Sequence, residues 1–161
     1  MVSIRSLLLV FIVLFGVVVC QSRFRQIRYK NCKSKLDILS VEATECGESG
    51  TRCPFTRGSE PRIRIAFKPK QRINKLETAV RAKLGSVFVP FHLENNDACT
   101  GGNITCPLEV GKTYYYSQSV KILNEYPNVD VQVNWLLQNP EDQSNDGGRR
   151  EACIIFLAKV V

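Results

Sequence analysis

From Val129 to Leu137 every second residue is apolar. Val129, Val131, Val133, Trp135 and Leu137 fall on one side, Asp130, Gln132 and Asn134 on the other, and Leu136 is the one exception. A period of two is the pattern of a β-strand with one dry face and one wet face. The preceding stretch from Lys112 is rich in Tyr, Val, Ile and Thr, which favour strands. Glu125-Tyr126-Pro127-Asn128 separates the two stretches, and Pro127 cannot donate to a ladder, so the chain should turn there. The expectation is an antiparallel pair whose inner face carries Val and Trp.

Other segments repeat the pattern. Between Leu36 and Cys46, Leu39, Val41 and Ala43 alternate with Ser40, Glu42 and Thr44. Between Pro61 and Lys68, Ile63, Ile65 and Phe67 alternate with Arg62, Arg64 and Lys68, and Pro61 suits the first residue of a strand. The segment from Asn74 to Phe88 fits two periods. Ile73, Leu76, Val80, Leu84 and Val87 have helical spacing, whereas Leu76, Thr78, Val80, Ala82 and Leu84 alternate. Because every other periodic segment is a strand, a strand is expected here too. Val87-Phe88-Val89-Pro90-Phe91 reads as a strand running out into a loop, and Ala152 to Val161 as a strand buried on both faces. Gly47 to Gly58, Asp97 to Pro107 and Asn139 to Arg150 read as loops, the last holding Asp146-Gly147-Gly148. Six or seven short strands separated by turns describe an all-β sandwich of two antiparallel sheets.

The first twenty residues stand apart. Arg5 precedes an apolar run from Leu7 to Val19, and Val18-Val19-Cys20-Gln21 offers a cleavage point. That is the layout of a secretory signal peptide over 1–20, and the run falls short of the roughly 20 residues a membrane span needs. The remaining 21–161 fits a single domain. Cleavage near Cys20 leaves six cysteines, Cys32, Cys46, Cys53, Cys99, Cys106 and Cys153. An even count in an exported chain reads as a disulfide framework, with about 15 pairings open. Cys46 with Cys53 and Cys99 with Cys106 could each close a short loop, which would leave Cys32 and Cys153 to tie the two ends. A zinc site is disfavoured, since no C-x-x-C occurs and His92 is the one histidine. Asn103-Ile104-Thr105 is an N-glycosylation acceptor within the Cys99/Cys106 loop, with Asn103 as the site.

Charge is unevenly placed. The formal net charge is +7, and the lysines and arginines concentrate between Gln21 and Lys83. Such polarity could orient the molecule on an anionic membrane surface or an acidic partner, or serve as a solvated face. No nucleic-acid motif is present, so nucleic acid is not an expected partner. No cofactor is expected, and catalysis is not either. A Ser-His-Asp arrangement would have to use His92, no G-x-S-x-G accompanies it, and there is no glycine-rich phosphate loop. His92 could sense endosomal acidity or be a plain surface histidine.

Several landmarks coincide along the chain. Cys32 precedes Cys46 and Cys53; then come Val89-Pro90-Phe91, Asp97-Ala98-Cys99, Cys106-Pro107-Leu108, Gly111-Lys112-Thr113-Tyr114, Tyr126-Pro127, Val131-x-Val133-x-Trp135 and Cys153. In this order and spacing the chain resembles the ML lipid-recognition family, in its Niemann–Pick type C2 branch, with invertebrate members that include the mite group 2 allergens. The resemblance spans the mature chain. It implies an immunoglobulin-like sandwich enclosing an apolar cavity between the sheets, and the disulfides Cys32–Cys153, Cys46–Cys53 and Cys99–Cys106. It also implies a secreted or endolysosomal sterol carrier, expected as a monomer, whose ligand enters past an aromatic gate. The matching positions are Val89, Pro90 and Phe91, Ile122, and Tyr126 with Pro127. Val133 and Trp135 should line one wall, with Ile63 and Ile65 opposite.

Three positions depart from the vertebrate sterol carriers of that family. Lys121 stands where they have a proline, Leu123 where they have a lysine, and Ile154 where they have a tryptophan. An isoleucine in place of an indole changes a cavity's volume and shape, which favours slender lipids. Two further functions therefore stand beside sterol transport: innate-immune recognition of microbial glycolipid with docking on a receptor, and carriage of fatty acids or semiochemicals.

Overall fold

The computed structural model describes residues 23–47, 51–142 and 150–161. The expected signal peptide and the Asp146-Gly147-Gly148 turn lie outside the described residues. Two short strands open the chain, β1 (Arg25–Gln26) and β2 (Lys30–Asn31), followed by β3 (Asp37–Ala43) and the three-residue β4 (Cys53–Phe55). Next come β5 (Arg62–Lys68), β6 (Glu77–Leu84), β7 (Val87–Phe91) and one turn of helix, α1 (Ala98–Gly101). The last strands are β8 (Tyr114–Ser119), β9 (Val129–Gln138) and β10 (Arg150–Val160). The smaller sheet runs β1-β3-β5-β8 and the larger β2-β10-β9-β6-β7, and β4 adds to the end of β10. Apart from that parallel β4 pairing, all pairings are antiparallel. The two layers form the expected sandwich.

Alternation set the dry faces. Ile63, Ile65 and Phe67 of β5 are fully buried, as are Trp135 and Leu137 of β9. The ambiguous segment is the strand β6, because Thr78 and Val80 face the core in phase with Leu76 while Glu77 and Arg81 face out. Helical packing would have left β9 without its second neighbour, and β6 pairs with β9 from Glu77 to Lys83.

Four expectations change. The stretches before and after Pro127 do not pair with each other: β8 pairs with β5 in the smaller sheet, and β9 lies between β10 and β6 in the larger. The segment between them follows the smaller sheet first, where Val120 N donates to Pro61 O and Ile122 N to Ser59 O, both at 3.0 Å. It then crosses to the other layer. Alternation reports which face of a strand is dry and carries no information about its neighbour. Within the expected loop Gly47–Gly58, Cys53–Phe55 forms β4; Pro54 is tolerated because this strand is at a sheet edge. The last strand is buried on both faces only from Glu151 to Ile154, and from there Leu157 and Lys159 point into solvent. Leu39 is half exposed because the β3–β5 register shifts between Ile38 and Ser40, which turns that side chain outward.

The three disulfides are Cys32–Cys153, Cys46–Cys53 and Cys99–Cys106. A buried polar link also joins the layers. Tyr116 of β8 shares a 2.7 Å hydrogen bond with Thr78 of β6 and donates to Gln118 at 2.6 Å, and its ring meets Trp135 edge-on at 6.3 Å. Burial pushes the Tyr116 phenol well above its ordinary pKa, so it remains a neutral donor. Gly102 makes this approach possible. A Cβ there would collide with Ala98 O and would lie 2.5 Å from the Tyr116 ring.

Candidate functional site

Beyond the Tyr116–Trp135 contact the two sheets leave a gap. The cavity has a volume of about 150 Å³, and its walls carry no charged side chain. Strand β9 supplies the floor with Val129, Val131, Val133 and Trp135, and β6 adds Val80, Ala82 and Leu84. These residues share one face because β6 and β9 pair in register, Val80 opposite Trp135 and Ala82 opposite Val133. Phe156 and Val160 of β10, with Phe55 of β4, close one side. Val89, Pro90 and Phe91 of β7 line the other. The roof comes from the crossing segment between β8 and β9, through Val120, Ile122, Tyr126 and Pro127.

Phe91 and Tyr126 meet edge-on, ring centroids 5.9 Å apart, and both are half-buried. They bridge the edge strand of the larger sheet to the crossing segment. Around them the rim is apolar and open: Val87 is 60% exposed and Val89 42%, although the strand phase turns both toward the interior. Gly85, at φ +60°, makes the tight turn that returns β7 along β6.

Eight of the positions singled out in the sequence meet here: Val89, Pro90, Phe91, Ile122, Tyr126, Pro127, Val133 and Trp135 all line the cavity. Ile63 and Ile65 are fully buried in the packed core and do not line it. Ile154 likewise sits in the core, away from the cavity walls. Val80, Ala82 and Leu84 also line the cavity, as do Val129 and Val131, none of which is singled out by sequence as a wall residue. Their signal was present, since each falls in the inward phase of β6 or β9. Phe55, Val120, Phe156 and Val160 carried no such signal, because their placement depends on how distant segments meet. Asn103 and Thr105 of the sequon are exposed, as is His92. Among the described residues there is no group of three His, Cys, Asp or Glu able to hold a metal, and no helix long and apolar enough to cross a membrane.

A family model described as the ML domain matches residues 26–158. The chain belongs to the ML-domain family. This ML domain is 41% identical over 157 residues to putative protein heh-1 of Caenorhabditis elegans, covering 94% of the chain and 96% of that protein. It is 30% identical over 135 residues to NPC intracellular cholesterol transporter 2 homolog a of Drosophila melanogaster, covering 83% and 87%. Among solved structures it superposes on a Niemann-Pick type C2 protein from the Japanese carpenter ant with a TM-score of 0.73. That match has 21% identity and covers 84% of this chain and all of the other, a likeness of fold.

Proposed function

We propose that this protein is a carrier that holds one apolar lipid of sterol type between its sheets, in the extracellular fluid or an endolysosomal lumen. The observation that carries the reading is the uncharged cavity at the sheet edge, walled by valine, proline and aromatic side chains and closed by the Phe91–Tyr126 pair. A folded chain fills its interior unless space is needed, since packing density is otherwise crystal-like. Partition alone supplies the driving force, at about 25 cal/mol per Å² of apolar surface removed from water. At about 0.3 kcal/mol per heavy atom, a ligand of about 28 atoms gains about 8 kcal/mol, on the order of micromolar affinity. That strength suits a carrier, which must also release. The name of the Drosophila relative, a cholesterol transporter, supports the sterol class.

The cavity's 150 Å³ is below the roughly 300–1,000 Å³ of ligand sites, so loading must part the sheets. Parting can occur at the edge strand β7 with the crossing segment, or on the side walled by Phe55. The exposed apolar rim at Val87, Phe88 and Val89 gives the mouth a surface that can touch a bilayer, with Lys83 stacked over Phe88 at 5.6 Å to meet an anionic one. A second reading, a carrier of fatty acids, is favoured by the same small volume, since a single hydrocarbon chain needs less opening than fused rings. Lipids extracted from the purified protein and analysed by mass spectrometry, followed by titration of the delipidated protein with a fluorescent sterol and with oleate, test both. Saturable sterol binding supports the first reading, oleate binding alone supports the second, and binding of neither overturns both.

A further inference from the structure

Beside the apolar cavity lies a recess of different chemistry. It has a volume of about 230 Å³, and its ionisable lining is Glu60, Arg62, His92, Glu94 and Lys121. Val120 walls both spaces. Two chain segments pass from one to the other within a single residue: Phe91 lines the cavity and His92 the recess, Ile122 the cavity and Lys121 the recess. The recess thus begins one residue from the aromatic pair at the mouth.

Its charged groups are not used by the fold. None of the Glu60, Arg62, Glu94 or Lys121 side chains makes an ion pair or hydrogen bond among the described residues. The neutral polar groups beside them are engaged: Gln118 accepts from Tyr116 and donates to Asn95 O, and the Asn95 amide donates to Thr100. What the recess offers a ligand is therefore two carboxylates and two cations, with His92 beside them. A simple anion or a simple cation would meet as much repulsion as attraction. A ligand carrying one of each would find both complements, a phosphate at the guanidinium and ammonium and a cation at the carboxylates. Quaternary ammonium groups are held by aromatic faces, and the recess has no Phe, Tyr or Trp in its lining. A primary ammonium, which donates hydrogen bonds to carboxylates, fits instead.

We propose that this recess takes the phosphoethanolamine head group of an amphipathic lipid whose acyl chain lies in the apolar cavity. The inference rests on the carrier reading and deepens it, from an apolar ligand to one with a defined head. The probes are lysophosphatidylethanolamine, lysophosphatidylcholine and lysophosphatidylglycerol of one acyl chain, titrated into delipidated protein below their micellar concentrations. A fluorescent sterol serves as the control without a charged head, and oleate as an acyl chain without phosphoethanolamine. The ethanolamine lipid should bind at least tenfold tighter than the other two. Glu60→Gln with Glu94→Gln should erase that preference while sterol affinity and the melting temperature stay unchanged. Arg62→Gln with Lys121→Gln should weaken all three phospholipids and spare the sterol. Equal affinity for the three lysolipids, or a preference that survives the glutamate substitutions, overturns the head-group site and leaves the carrier reading standing. Failure of oleate and sterol as well as the lysolipids would remove the carrier reading, and this inference with it.

Discussion

Glu151 is the residue most at odds with its surroundings. It is 1% exposed in β10, receives one long hydrogen bond from Gln71 at 3.3 Å, and its Oε2 meets no protein donor. Burial raises its pKa, Lys35 partly offsets this, and Asp142 adds to the rise. With the folded pKa above the unfolded one, the folded state holds more protons in the window above 4.5. Stability therefore falls as pH rises through that window. Glu151→Gln should stabilise the protein at pH 7.5 by about 1 kcal/mol, a shift of a few degrees in melting temperature. The gain should shrink as pH approaches 4.5; a gap that is constant with pH would show that titration of Glu151 is not its source. At the mouth, Phe91 is the corresponding residue of the proposed ligand site. Phe91→Ala removes a half-buried ring and its edge contact with Tyr126, so sterol affinity should fall about tenfold, or about 1.4 kcal/mol, with the fold intact. Unchanged affinity in a titration would show that the gate lies elsewhere.

At the scale of strands, the cavity exists because β6 carries a small residue where its neighbours carry valine. Ala82 lies between Val89 on β7 and Val133 on β9, all three facing the gap. Ala82→Leu should fill space rather than displace packed atoms, so melting temperature should hold or rise, whereas the same change in a full core costs about 1–3 kcal/mol. Ligand affinity should drop at least tenfold. Loss of stability together with retained binding would show that the gap is already occupied by core packing. The alternation that produced Ala82's inward phase was legible in the sequence, and so were seven strands and both faces of β5. What alternation could not say is which length of a dry face is covered. Ile63 and Ile65 have the same phase as cavity residues yet sit under full packing, because the covering element above them is different. Val120 and Phe55 face the gap through crossings between the sheets, and such crossings are long-range events that no local period encodes. The same blindness made the stretches before and after Pro127 look like one hairpin.

For the molecule as a whole, the carrier reading requires two sheets that stay together and still part for a ligand. The disulfides divide this work by position. Cys32–Cys153 spans 121 residues and ties the chain's start to the larger sheet, while Cys46–Cys53 spans 7 and joins the end of β3 in the smaller sheet to β4 in the larger. The short bridge sits at the side of the cavity walled by Phe55. Loop-closure entropy grows with span, so the long bridge should be worth about 5 kcal/mol and the short one about 2.5. Their effects on ligand exchange should run in the opposite order. With Cys46→Ser and Cys53→Ser the layers lose their only covalent tie beside the cavity among the described residues, and sterol should leave severalfold faster in a stopped-flow exchange assay. With Cys32→Ser and Cys153→Ser the melting temperature should fall further, but the off-rate, measured below the melting transition, should stay near that of the parent. If the two pairs of substitutions changed the off-rate equally, loading would not depend on separation of the sheets at the Phe55 side. Opening would then have to be confined to the β7 edge, where Val87 and Val89 already stand uncovered.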